Sequence, residues 1–187
     1  IFKKKRSDFF STKTHELIGI EVKIEEDLET CKLVGYLDIV FRHKRTGKYK
    51  IIDLKSSTRG WSDWQKKDFV KVAQLLLYKW KYAEALGVDP KQIEVIYVII
   101  KRIIPDPETT AYPVKRIQKF KPVDGTVTMK KVRVQFEKFI EAAYGSNVPS
   151  EYKAYADIDG SNCRFCPYQN LFEHCLPGDR INKKHIV

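Results

Sequence analysis

At 187 residues the chain is long enough for one domain with a full hydrophobic core, and its 43% apolar and 12% aromatic content excludes a wholly disordered protein. Its 35 Lys and Arg against 24 Asp and Glu leave a formal net charge of +11, spread along the chain without a polybasic tail, so a polyanion is the expected partner. No stretch approaches the ~20 apolar residues of a membrane helix and no secretory signal is visible, which predicts a soluble, intracellular, cytoplasmic protein with no membrane partner.

Residues 16–24 (ELIGIEVKI) alternate as a strand does, and the acidic EEDLE after them reads as its turn. Residues 32–43 (KLVGYLDIVFRH) make a second strand, KRTGK with Gly47 a hairpin turn, and 48–55 (KYKIIDLK) a third. A long helix is predicted from Asp63 to Leu86, because Phe69, Val72, Leu76, Trp80 and Ala83 recur at three- and four-residue steps and Gly87 is a suitable stop. Residues 93–104 (IEVIYVIIKRII) are apolar at nearly every position, as in a central strand covered on both faces. A Pro-rich connection, a basic segment (YPVKRIQKFKP), a second helix over residues 126–144 and a cysteine-bearing tail follow. The order βββ-α-β predicts an α/β fold on a mixed sheet.

Within the third strand, Asp53 and Lys55 lie two apart and share a face, while Ile52 and Leu54 point the other way. With Thr46-Gly47 as a two-residue turn, Arg45 pairs with Lys48, which sets Asp38 opposite Lys55 and diagonal to Asp53. Two carboxylates so placed repel unless a cation lies between them. Oxygen ligands suit Mg²⁺ or Mn²⁺, and the lysine completes a group able to orient a water and stabilise charge developing on a phosphate. On the long helix, Lys67, Lys71, Gln74, Tyr78 and Lys81 fall on one face, opposite the apolar stripe, as a cationic track for a phosphate backbone. Trp61 and Trp64 either stack on unpaired bases or pack against the core. Cys163, Cys166 and Cys175 (CRFCPYQNLFEHC) have the spacing of a metal knuckle, with His174 or the isolated Cys31 available as a fourth ligand for Zn²⁺.

Three of these stretches, GYLD (35–38), DLK (53–55) and QLLLY (74–78), resemble the G-x-x-D, (D/E)-x-K and Q-x-x-x-Y motifs of the PD-(D/E)XK nuclease superfamily. Their order and placement are similar to its RecB-like exonuclease branch, which includes phage recombination exonucleases and CRISPR adaptation nucleases. The resemblance implies a restriction-endonuclease-like core in a single nuclease domain over 1–187, with the core at about 16–145 and a Cys-bearing segment at about 146–187. It implies a Mg²⁺- or Mn²⁺-dependent deoxyribonuclease, an exonuclease of DNA recombination, repair or phage DNA processing. Its substrate would be single-stranded DNA or duplex ends, with a helicase or recombination protein as partner in a bacterial or phage-infected cell. By the same resemblance Asp38 and Asp53 bind the metal, the Leu54 carbonyl adds a ligand, Lys55 assists the attacking water, and Gln74 and Tyr78 position substrate.

Family members carry a helix before the first core strand with a His or Glu at the metal site. That segment is expected upstream of residue 1, with His15, Glu16 or Glu21 as substitutes inside the chain. Iron–sulfur members, including those with the AddB-type C-terminal cysteine cluster, hold a [4Fe-4S] cluster with one Cys ahead of the core and three after it, which Cys163, Cys166 and Cys175 resemble. Two other readings compete: a non-cutting nucleic-acid-binding subunit of the same fold, and a zinc-stapled interaction protein in which Asp53 and Lys55 form a solvated ion pair. His15, His43 and His185 read as surface residues.

Overall fold

The computed structural model describes residues 11–106, 108, 112 and 114–145. The chain divides into two compact units, Ile1–Ile140 and Glu141–Val187. The first holds a five-stranded mixed sheet in the order β1 (His15–Asp27), β2 (Lys32–His43), β3 (Tyr49–Ser57), β4 (Ile93–Lys101) and β5 (Ile117–Phe120). Only the β3–β4 pair is parallel. Two helices link these parallel strands, α1 (Asp63–Lys67) and α2 (Phe69–Leu86), and α3 (Thr126–Tyr144) follows β5. On the α2 side of the sheet, Leu75 and Leu76 are fully buried with Leu37, Val40, Ile51 and Tyr97. Phe41, Ile52 and Val98 form a smaller buried group with Ile39, Ile96 and Ile117. Apolar side chains on both faces explain why β4 reads as continuously hydrophobic. Among the described residues no helix is long and apolar enough to cross a membrane.

Several boundaries differ from expectation. The acids expected in the first turn belong to the strand: Glu25, Glu26 and Asp27 pair with Val34, Leu33 and Lys32, and Lys32 neutralises Glu25 at 2.5 Å and Asp27 at 3.3 Å. The predicted single helix is broken at Asp68, whose extended backbone ends α1 and whose carboxylate accepts from the Val70 N–H at 3.0 Å to start α2. An Asp offered two free helical N–H groups does better as a cap than inside a helix. β4 ends at Lys101 instead of 104. The basic segment contains β5, a four-residue strand whose apolar ends, Ile117 and Phe120, do not alternate and so give no period-two signal.

The hairpin correction matters most. His43 N–H donates to the Lys48 carbonyl at 2.8 Å, so the β2–β3 loop has four residues, Lys44 to Gly47, and Arg45 does not pair with Lys48. Gly47 takes a left-handed φ of 70° and donates to the His43 carbonyl, while His43 Nδ1 accepts from the backbone N–H groups of Arg45 and Thr46. These bonds stabilise the wider loop and move the register by two. The ladder pairs Ile39 with Ile52, so one further step sets Asp38 across from Asp53 and not from Lys55. A shift of two keeps every side chain on its expected face.

Candidate active site

β3 pairs with β2 only from Tyr49 to Ile52 but with β4 all the way from Tyr49 to Ser57. Past Ile52 its edge towards β2 is therefore open, and the N–H of Leu54 needs another acceptor. Asp38 supplies it, its Oδ2 accepting from Leu54 N–H at 2.6 Å. The same opening holds Asp53, which shares the α2-facing side with Ile51 and is 3% exposed. Its Oδ2 lies 3.0 Å from Lys55 Nζ, an ion-pair distance reached without hydrogen-bond geometry, so this buried oxygen has no donor. Burial pushes the Asp53 carboxyl up to about 6; Lys55 opposes the rise and the Asp38 charge adds to it.

From Lys55 the polar contacts run on into α2. Lys55 Nζ donates to Gln74 Oε1 at 3.3 Å, and Gln74 Nε2 donates to the Tyr78 hydroxyl at 3.2 Å. Gln74 and Tyr78 are one helical turn apart, so they stand over each other on one face. Gly35 fits the ring behind them: a Cβ at that position would lie 2.8 Å from Tyr78 Cε1. Asp38, Asp53, Lys55, Gln74 and Tyr78 thus meet where β2, β3 and α2 converge, with Gly35 as the surface on which Tyr78 rests.

These residues fit a hard divalent ion. Oxygen donors are what Mg²⁺ and Mn²⁺ take, and a buried carboxylate balanced by the Lys55 ammonium at 3.0 Å, beside a second carboxylate, offers oxygens of that kind. Among the described residues there is no group of three His, Cys, Asp or Glu that could hold a metal.

The other expected site residues are more scattered. Lys67 lies exposed in the last turn of α1, and Lys71 is half-buried on α2 with its carbonyl accepting from the Tyr97 hydroxyl at 2.9 Å. Lys81 departs from the predicted cationic track: it is buried, paired to Glu26 at 2.7 Å and Glu84 at 3.0 Å, with its ammonium 4.0 Å from the centre of the Trp80 ring. Glu26 on β1 and Glu84 one turn along α2 itself satisfy its charge. Trp61 packs, its ring 4.9 Å from that of Tyr97, and Gln118 of β5 bonds both its backbone N–H and its carbonyl. Trp64 is 74% exposed.

His15 pairs with His43 at the far end of β1 from Asp38, while Glu21 lies exposed where β1 passes Asp38, with a left-handed φ of 53°. Cys31 is a free, half-buried thiol in the β1–β2 turn; Cys163, Cys166, His174 and Cys175 lie outside the described residues. Two residues missed in the sequence support the site. Tyr97 is fully buried next to Asp53 in the β3–β4 register, and Gln118 fixes the entry to α1. Tyr97 carries the only side-chain hydroxyl in IEVIYVII, a signal that was available.

Residues 3–171 match the family model of the PD-(D/E)XK nuclease superfamily. No curated protein matches. Among solved structures, the crystal structure of SSO0001 is similar at 17% identity and a TM-score of 0.43, covering 91% of this chain. The chain spans 64% of that protein's length.

Proposed function

This chain belongs to the PD-(D/E)XK nuclease superfamily, and we propose that it is a metal-dependent DNA nuclease acting on strand ends through Asp38, Asp53 and Lys55. The observation that carries the reading is the buried Asp53 carboxylate 3.0 Å from Lys55 Nζ, with Asp38 across from it on the adjoining strand. Asp38 and Asp53 would hold Mg²⁺ or Mn²⁺, with the Leu54 carbonyl as a further ligand. Such an ion supplies Lewis-acid stabilisation of the phosphate and lowers the pKa of bound water. Lys55, held between Asp53 and Gln74, places an ammonium at the mouth of the site, where negative charge develops on a phosphoryl oxygen. Gln74 fixes the Lys55 rotamer and Tyr78 fixes Gln74, so both are positioning residues as well as candidates for touching the substrate. The Asp38 bond to the Leu54 N–H orients one carboxylate before any ligand arrives.

Preference for ends rests on the resemblance of the QLLLY motif to the exonuclease branch, and duplex or single-strand backbone would be tracked by Lys67 and Lys71. The test is digestion of closed circular plasmid and end-labelled oligonucleotides, single- and double-stranded, with Mg²⁺, Mn²⁺ or EDTA. Metal-dependent shortening of the linear substrates is expected, with none in EDTA and none by Asp38→Asn, Asp53→Asn or Lys55→Ala proteins that remain folded. Wild-type cutting by the Asp53 variant would remove the site assignment. Cutting of the closed circle would replace the exonuclease with an endonuclease.

A further inference from the structure

β3 and β4 run parallel, and the carboxylate site lies part-way along them. Where the two strands begin, Tyr49 and Lys50 of β3 and Ile93 and Glu94 of β4 open onto a cavity of about 860 Å³. None of Asp38, Asp53, Lys55, Gln74 and Tyr78 lines it. Tyr49 and Asp53 are four strand steps apart, roughly 13 Å, so the cavity and the carboxylates occupy separate stretches of β3.

The cavity is strongly cationic: seven Lys and Arg residues line it against three carboxylates. All three carboxylates are engaged within the protein. Glu94 lies 3.0 Å from Lys50 and 3.6 Å from Lys121, Asp124 lies 2.6 Å from Lys79, and Asp89 accepts from the Lys91 N–H at 2.7 Å. Lys48, Lys91 and Lys130 have no ion-pair partner among the described residues, while the Arg133 guanidinium lies 4.7 Å over the Trp80 ring. Gathering unpaired like charges around a concave wall raises the potential there and costs stability unless an anion fills it. Gly125 and Thr126 place the start of α3 in the same wall, and no acidic residue occupies that helix's first turn, so its free N–H groups add to the positive field. Tyr49, Pro90, Ile93 and Met129 give the cavity an apolar side as well. Phosphate-binding cations next to an apolar wall, in a volume within the usual ligand range, suit a nucleotide better than bare phosphate.

We propose that this cavity is a second binding site, for a nucleotide-like phosphate ester, separate from the carboxylate site. The ester is either a free nucleotide or a segment of nucleic acid remote from the bond being cut. The full chain is titrated in EDTA, so that nothing is cleaved and the outcome does not depend on the nuclease reading. The probes are dATP and a single-stranded oligonucleotide. The variant is Lys91→Glu/Lys130→Glu, both exposed and free of internal ion pairs, and the control is Lys115→Glu/Lys138→Glu, which changes net charge equally at exposed positions outside the cavity lining.

A loss of dATP affinity of about tenfold or more in the cavity variant and not in the control identifies a free-nucleotide site. If dATP does not bind but the oligonucleotide weakens selectively, with its log affinity against log salt slope shallower by about 1.4, the source is the strand backbone. Equal behaviour of cavity variant and control with both probes overturns the proposal.

Discussion

Asp53→Asn should make the metal-free protein more stable while removing its activity. In the folded chain the carboxyl is raised from 3.8 to about 6, a figure already reduced by the attraction of Lys55. A rise of about two units corresponds to about 3 kcal/mol. The sign follows from proton binding. Below about pH 4 the group is protonated in both states and costs nothing; between 4 and 6 the folded state keeps a proton that the unfolded state has released, so stability falls as pH rises through that window. Above pH 6 the full cost of burying the charge is present. Asparagine carries no charge at any pH, so thermal unfolding at pH 8 in EDTA should occur at a higher temperature by roughly 6–12 °C. At pH 4 the two proteins should nearly coincide, and the difference between their curves isolates this one group because all others are shared. Adding Mg²⁺ should raise the midpoint of the wild type only, through preferential binding to its folded state. A difference that is flat in pH, or a variant less stable than wild type at pH 8, would refute the claim that burial and not pairing governs Asp53.

The same ionisation should appear in catalysis: cleavage at fixed Mg²⁺ should fall as pH drops through about 6, with the midpoint moving lower at higher metal concentration as the ion competes with the proton. Gly35→Ala should displace the Tyr78 ring, because the added Cβ would sit 2.8 Å from it, costing about 1–3 kcal/mol by thermal melt and lowering kcat. Lys71→Ala should weaken binding of uncut oligonucleotide and make its salt slope shallower by about 0.7; an unchanged slope would mean that the lysine meets no phosphate. Lys81→Ala should instead cost stability, leaving the salt slope intact, since its ammonium is bonded to Glu26 and Glu84.

How much of this was legible depended on which level of the structure a signal specifies. Strand periodicity fixed the faces of β2 and β3, and helical periodicity put Gln74 and Tyr78 together on α2, because both are local properties of a few consecutive residues. Partnership was less legible. Nothing in its own angular position distinguished Lys81 from Lys71; the difference lies in Glu26 of β1, which the sequence read as part of a turn. The break at Asp68 has a local signal of its own, a capping residue immediately before Phe69, the first of the recurring apolar residues. β5 could have been inferred indirectly, since a strand as apolar as β4, with its backbone bonded to β3 along one edge, needs a neighbour along the other.

The carboxylate site survived an incorrect turn for a physical reason. Only slips by an odd number of residues exchange the faces of a strand, and the four-residue loop moved the pairing by two. The expected and observed registers therefore agree that Asp38 and Asp53 share a face and differ only in which residue stands directly across. The observed alternative is the more demanding: two carboxylates on adjoining strands face each other, and the lysine is moved along towards Gln74. Facing carboxylates repel, and here one of them is also buried. A sheet would gain stability by pairing fully at this point, yet β2 and β3 part after Ile52, and the backbone N–H that opens is bonded by Asp38 itself. The local loss of pairing and the raised Asp53 carboxyl are thus two aspects of one arrangement, an acidic opening in the sheet with Lys55 at its side.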